Sequence, residues 1–196
     1  DPVTFNVTFI ESTFVNASAL NTKGWDIQVN YAFDVADVLG DVDPFFAEVD
    51  GRLSLSVIAN HVEALRFFAF QSDPTDENIE EGEAGDPEWS FITNAIYDQG
   101  PVRFVWRSRY EDEVSRFAQG AGSEEDFFPS HIEAVWTHDF VLTYRLEEAT
   151  GYNSEVYFGV NNAFNEELPL GLTGNGTSSA YDLLGRIVFV GARAKM

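Results

Sequence analysis

The stretch Gly24–Phe33, GWDIQVNYAF, alternates at every position. Trp25, Ile27, Val29, Tyr31 and Phe33 fall on one side of an extended chain, and Asp26, Gln28, Asn30 and Ala32 fall on the other. Side chains of a strand change face with period two, so this segment is a strand with one apolar and one polar face. A sheet in water turns such an apolar face toward a protein core, whereas a membrane barrel turns it toward lipid.

Composition narrows the choice. The chain has 196 residues with a formal charge of −22, yet 15% of it is aromatic: eighteen Phe, seven Tyr and four Trp. That is far too much aromatic surface for a disordered acidic chain, so the acid belongs to a folded protein and mainly to its loops. With eleven Lys and Arg against thirty-three Asp and Glu, nucleic acid is excluded as a partner, because phosphate binding needs clustered cations. The absence of cysteine removes disulfides, thiolate metal sites and cysteine nucleophiles. No apolar run is long enough for a transmembrane helix, which leaves barrel strands untouched, since their hydropathy signal is weaker. The chain starts Asp1-Pro2 and goes straight into the strand-like VTFNVTFI, without an initiator Met or a signal segment. It reads as processed, or as part of something longer.

Strand-like runs recur at Thr4–Ala17, Gly24–Asp34, Gly51–His61, Trp89–Tyr97, Pro101–Tyr110, His138–Glu147, Ser154–Asn161 and Arg186–Lys195. Most are close to the roughly 9–11 residues that a tilted transmembrane strand needs. No long amphipathic helix is predicted. Asp98-Gln99-Gly100 and Glu148–Asn153 read as short hairpin turns, whereas Val62–Glu88, Glu111–Thr137 and Asn162–Gly185 are long connections. Such long loops are uncommon in compact soluble domains, but short turns on one rim and long loops on the other are the rule in outer-membrane barrels. Val35–Asp50 is longer than that rule expects.

Pro101–Tyr110 sets Phe104, Trp106 and Tyr110 against Arg103, Arg107 and Arg109. Three arginines on one strand face are costly in an apolar core and cheap beside water. They are the candidate ligand-binding residues, able to draw an anion through a pore, or else to pair with acids on neighbouring strands. Ser72–Glu88 carries eight acids, and no Lys or Arg occurs from Phe67 to Val102. Such a run reads first as a solvated external loop. Its alternative reading is a divalent-cation site built from Asp76, Glu77, Glu80 and Glu81, although EF-hand spacing is absent. His61, His131 and His138 share no metal-ligand spacing, and no nucleophile–base pattern exists, so neither a cofactor nor an enzyme is expected. Phe67, Phe68, Phe70, Phe127, Phe128 and Trp136 fall near strand ends, where they suit an aromatic girdle or could stack on a sugar or siderophore.

The C-terminal part carries a family resemblance. Tyr157–Phe164 reads YFGVNNAF and is followed by NEELP; Tyr181–Arg186 reads YDLLGR and leads into IVFVGARAKM. This resembles the closing hairpin of TonB-dependent outer-membrane receptors, with its "NNLF…P" strand end, its "Yd..GR" and its final strand. Asn21–Phe33 is similar to the family's "tkGvElel.Y" strand. The residues that carry the resemblance are Gly24, Asp26, Asn161, Asn162, Phe164, Tyr181, Asp182, Gly185 and Arg186. Ala163 stands where the family has Leu, and Met196 where it usually ends in an aromatic.

The resemblance implies an all-β fold: an antiparallel meander of about eight strands forming the C-terminal part of a transmembrane β-barrel, left incomplete in this chain, with the plug domain lying elsewhere. It further implies the Gram-negative outer membrane, partners in its lipid and in the barrel-assembly machinery, and coupling to TonB through the plug. The function implied is energised uptake of a scarce ligand, such as an iron–siderophore, a cobalamin or an oligosaccharide. Two other readings stay open from the residues alone: a complete small eight-stranded outer-membrane barrel, since eight strands can close, and a soluble β-sandwich that binds carbohydrate.

Overall fold

The computed structural model describes residues 19–68, 75, 77–115, 130–147, 151–167 and 184–195. Its elements in chain order are β1 (Ala19–Asp34), α1 (Val35–Leu39), α2 (Pro44–Ala47), β2 (Arg52–Phe68), β3 (Glu77–Ile79), β4 (Trp89–Gln99), β5 (Val102–Glu111), β6 (Val114–Ser115), β7 (His131–Ile132), β8 (Val135–Arg145), β9 (Asn153–Asn161) and β10 (Ile187–Lys195). Seven long strands pair antiparallel in the order β1-β2-β4-β5-β8-β9-β10, and β3 joins the same sheet by pairing with the end of β2. Each long strand therefore lies beside the next long strand in sequence. The fold is an all-β, eight-stranded antiparallel meander, and the sheet is not closed: among the described residues β1 and β10 each keep one unpaired edge.

Cross-strand pairing sorts the side chains into rows. One row runs Ile27, Ala59, Phe91, Tyr110, Trp136, and another runs Tyr31, Leu55, Ala95, Trp106, Phe140, Val160, Val188. A third, toward the short turns, is Phe33, Leu53, Tyr97, Phe104, Leu142, Phe158, Val190. Because residues directly opposite each other project to the same side, these rows make one continuous apolar face. The opposite face carries Asn30, Ser56, Asn94, Arg107 and Asp139 in one row, and Asp34, Arg52, Asp98, Arg103 and Thr143 in another. Between them a largely apolar row of Ala32, Ser54, Ile96, Val105 and Val141 interrupts the polar face.

No second layer covers the apolar face among the described residues. Trp25 is 64% exposed, Val29 55%, Phe158 52% and Val190 81%. The two most deeply buried large side chains, Val114 at 2% and Ile132 at 1%, lie in the β6–β7 ribbon, away from the sheet.

Several expectations from sequence need correction. The connection expected over Val62–Glu88 begins only after Phe68, because β2 continues seven residues past His61 alongside Ala19–Lys23. The cause is a bulge: Gly24 pairs with Val62 but Lys23 pairs with Ala64, so Glu63 is an extra residue that breaks the period-two pattern. The connection expected over Glu111–Thr137 contains the β6–β7 ribbon, and β8 starts at Val135, three residues before the expected His138. The long link between β1 and β2 is occupied by α1 and α2, the latter capped by the Asp43 carboxylate, which accepts from Phe45 N at 2.9 Å. The Asp98–Gly100 hairpin forms as a two-residue Gly100-Pro101 turn, with Gly100 at φ 52°, where glycine is preferred. The expected strand Thr4–Ala17 lies outside the described residues.

β9 and β10 are joined by reciprocal ring-over-glycine contacts on the polar face. A Cβ at Gly159 would run into the ring of Phe189, and one at Gly191 into the ring of Tyr157. The far end of each ring lies over the glycine opposite, and the two rings meet edge-on at 6.3 Å between centroids. Gly159→Leu should push Phe189 off this seat and destabilise the chain by about 1–3 kcal/mol. A lowered midpoint in thermal or denaturant unfolding, relative to a Val160→Leu control on the other face, checks this.

Candidate functional site

The arginines are placed by the ladder. Arg103, Arg107 and Arg109 alternate with Phe104, Trp106 and Tyr110 along β5, so all three share the polar face. Arg103 meets Asp98 at 3.4 Å, and Asp98 also receives Arg145 at 2.9 Å. Arg145 further donates to the Gly100 carbonyl at 3.3 Å, tying the β4–β5 turn to the end of β8. Arg109 pairs diagonally with Asp139 at 3.6 Å. Arg107 has no carboxylate within ion-pair distance among the described residues; its Nε donates to Asn94 Oδ1 at 3.0 Å. Two of the three candidate ligand residues are thus held by acids of the sheet, and Arg107 has no ion-pair partner among the described residues. Exposed pairs of this kind contribute up to about 1 kcal/mol each, so they set side-chain direction more than stability.

At the long-loop end the acidic run is organised around a cation. Arg66, the last basic residue before that run, reaches Glu77 at 2.8 Å and Glu81 at 3.2 Å. Glu81 also accepts from Leu65 N at 2.9 Å, and Glu80 N donates to the Leu65 carbonyl at 2.9 Å. Glu80 takes Asn78 Nδ2 at 3.3 Å. Three of the four candidate metal ligands, Glu77, Glu80 and Glu81, are therefore engaged with protein donors, and Asp76 lies outside the described residues. No group of three or more His, Cys, Asp or Glu converges as a metal site among the described residues. Arg66 had a legible signal, since it borders a stretch devoid of other cations.

The residues of the family resemblance fall into structural roles. Asn162, only 3% exposed and at φ 47°, donates from Nδ2 to the Glu166 carbonyl at 2.8 Å and accepts from Glu166 N at 2.7 Å. Its own N–H donates to Asp139 at 2.9 Å. The side chain thereby closes the turn after β9, and the backbone N–H of the same residue fastens that turn to Asp139 of β8. Asn161 ends β9 opposite Ile187, Gly185 takes φ 63°, and Arg186 N donates to Asn165 Oδ1 at 3.3 Å. Gly24 sits at the bulge, where a Cβ would collide with the His61 carbonyl, and Asp26 accepts from Asn60 Nδ2 at 2.7 Å. Phe164 packs edge-on against His138 and Phe140. Tyr181 and Asp182 lie outside the described residues.

The long-loop side of the apolar face is aromatic. His61 stacks on Trp89 at 4.1 Å between centroids and Trp89 on Phe91 at 5.5 Å, Phe91 meets Tyr110 tilted at 5.6 Å, and Tyr110 meets Trp136 edge-on at 5.9 Å. Below these rings, Thr93 and Ser108 floor a recess of about 360 Å³ that Trp106 closes. Ser108 accepts from Trp136 Nε1, and Trp106 Nε1 donates to His138 Nδ1 at 3.2 Å, so indole groups satisfy the polar atoms of an apolar face. Trp136, expected at a strand end, takes part in this band; Phe67 and Phe68 end β2, and Phe70, Phe127 and Phe128 lie outside the described residues. Sequence reasoning missed Asp139 and Ser108, whose roles depend on which strands become neighbours.

Comparison with known proteins finds no matching family model, no similar curated protein and no similar solved structure.

Asn162→Ala removes the two hydrogen bonds that a buried side chain makes to the Glu166 backbone. It should destabilise the chain by about 1–3 kcal/mol. Asn162→Asp should do nearly as much harm, because the carboxylate keeps the acceptor but loses the donor to Glu166. Unfolding midpoints of both variants check this, and a wild-type midpoint in Asn162→Ala would show that the turn is held by other means.

Proposed function

We propose that this chain forms part of the wall of a TonB-dependent outer-membrane receptor and serves energised uptake of a scarce ligand, such as an iron–siderophore, a cobalamin or an oligosaccharide. The observation that carries the reading is the uncovered apolar face. Its extent across seven strands is roughly 29 Å, taking about 4.8 Å per strand. Its height, from the Trp25–His61–Trp89 row to the Tyr144–Val156 row, is ten residues. That is about 33 Å along the strands, or about 25 Å once they tilt by roughly 40°, which matches the apolar band of an outer-membrane barrel. Such a face is well beyond the roughly 300–600 Å² patches that soluble monomers leave in water.

Other features support the same reading. At one end the β4–β5 and β8–β9 links are short, the β1–β2 link with α1 and α2 being the exception, and at the other end the connections are long, as with periplasmic turns and external loops. The charged face would border the water-filled interior, where Arg103, Arg107 and Arg109 remain solvated, with Arg107 best placed to meet an anionic ligand or the plug. The open edges of β1 and β10 would be closed by further strands, since neither lipid nor water tolerates an unpaired edge well. Transport, and not catalysis, is the role of such a wall.

All four tryptophans, Trp25, Trp89, Trp106 and Trp136, lie on the apolar face, so intrinsic fluorescence reports on that face alone. In bilayers, brominated acyl chains should quench this emission strongly and aqueous acrylamide weakly. Emission from a detergent-free soluble protein, indifferent to brominated lipid, would indicate a two-layered sandwich instead. In the same membranes Arg107→Glu should insert as the wild type does, whereas Val29→Arg should lose about 2–4 kcal/mol of insertion or folding free energy. Equal tolerance of both substitutions would contradict the assignment of faces.

A further inference from the structure

The described residues with the greatest side-chain burial lie outside the sheet, where two connections remote in sequence are knitted together. Ala84 N donates to the Ser115 carbonyl at 2.9 Å, and Ser115 N donates to the Gly82 carbonyl at 2.7 Å, so residues 82–84 add to the β6–β7 ribbon as a third, parallel segment. Val114, Ile132 and Ala84 form a small apolar core at this junction. Beside it lies a recess of about 240 Å³, whose titratable lining is Glu81, Glu83, Glu88, Asp112, Glu113 and His131. Glu83 stands in the middle of the knot. Its Oε1 is buried with no hydrogen-bond partner among the described residues, and its own segment puts Glu80, Glu81 and Asp86 around it. The nearby cation, Arg66, is already engaged by Glu77 and Glu81.

We propose that Glu83 makes this junction a proton-operated clasp: with a neutral Glu83 the two connections are locked together, and with an ionised Glu83 they part. Among the described residues the buried oxygen has no donor to meet a negative charge, whereas a protonated carboxyl removes the repulsion from its three acidic neighbours. In agreement, burial pushes the Glu83 carboxyl above its ordinary value, and Glu80, Asp86 and Glu81 add to the push. A carboxyl raised in the folded state contributes stability that is complete below its unfolded value and is lost as the pH rises through the folded value. Acid therefore tightens the clasp and neutrality loosens it. His131 is the basic group in the lining of the recess, so it needs its own control. The clasp is built from the connections alone and does not depend on the membrane reading.

Hydrogen exchange of the full chain in its folded form, corrected for intrinsic rates at each pH, reads the clasp at the amides of Ala84 and Ser115. Their protection should fall severalfold from pH 5 to pH 7.5, while amides in the middle of β4 and β5 stay constant. Glu83→Gln should keep high protection at both values, and His131→Gln should retain the wild-type fall. Protection that does not change with pH, or a Glu83→Gln chain that keeps the fall, overturns the proposal. A fall that vanishes in His131→Gln also overturns it.

Discussion

The antiparallel ladder is the constraint on which the rest of the structure depends. Once Tyr31 stands opposite Leu55, Leu55 opposite Ala95 and Ala95 opposite Trp106, no strand is free to choose its own face. A slip of one residue would move every arginine of β5 among the aromatic rings and every ring among the arginines. The burial of Asn162, the diagonal reach of Arg109 to Asp139 and the row of indoles all follow from that register. Each is a consequence of which residues the hydrogen bonds place side by side.

Much of this was legible in the sequence, because period two is a strong signal wherever it is unbroken. In β5 the alternation of Arg and aromatic residues gave both the strand and the sides of its residues. The signal failed where the chain departs from a simple ribbon. Glu63, extra at a bulge, inverts the pattern within VEALRFF, so the last seven residues of β2 read as loop. β6 and β7, of two residues each, are too short to show any period. The candidate site was less legible than the fold, because Arg107 differs from Arg103 and Arg109 only through partners on other strands. The acidic run looked uniform in sequence, yet Glu77 and Glu81 meet Arg66, while Glu81, Glu83 and Glu88 line the recess at the junction.

The two ends of the sheet differ in how they are held. At the short-link end single side chains do the fastening: Asp98 receives two arginines, and Tyr97 donates to the Asp50 carbonyl at 3.2 Å. At the other end the connections have their own backbone pairing and their own apolar core. The two ends of the sheet are thus held by different means, one by side chains and the other by backbone pairing between connections.

The ring-over-glycine pairs of β9 and β10 have a geometric consequence. Side chains that stand upright crowd one another when a ribbon curls toward them, but Phe189 and Tyr157 lie down, each in the gap left by a missing Cβ. The last hairpin is consequently thin on its charged side. Bending toward that side therefore meets less steric resistance at β9 and β10 than it would with a Cβ at positions 159 and 191.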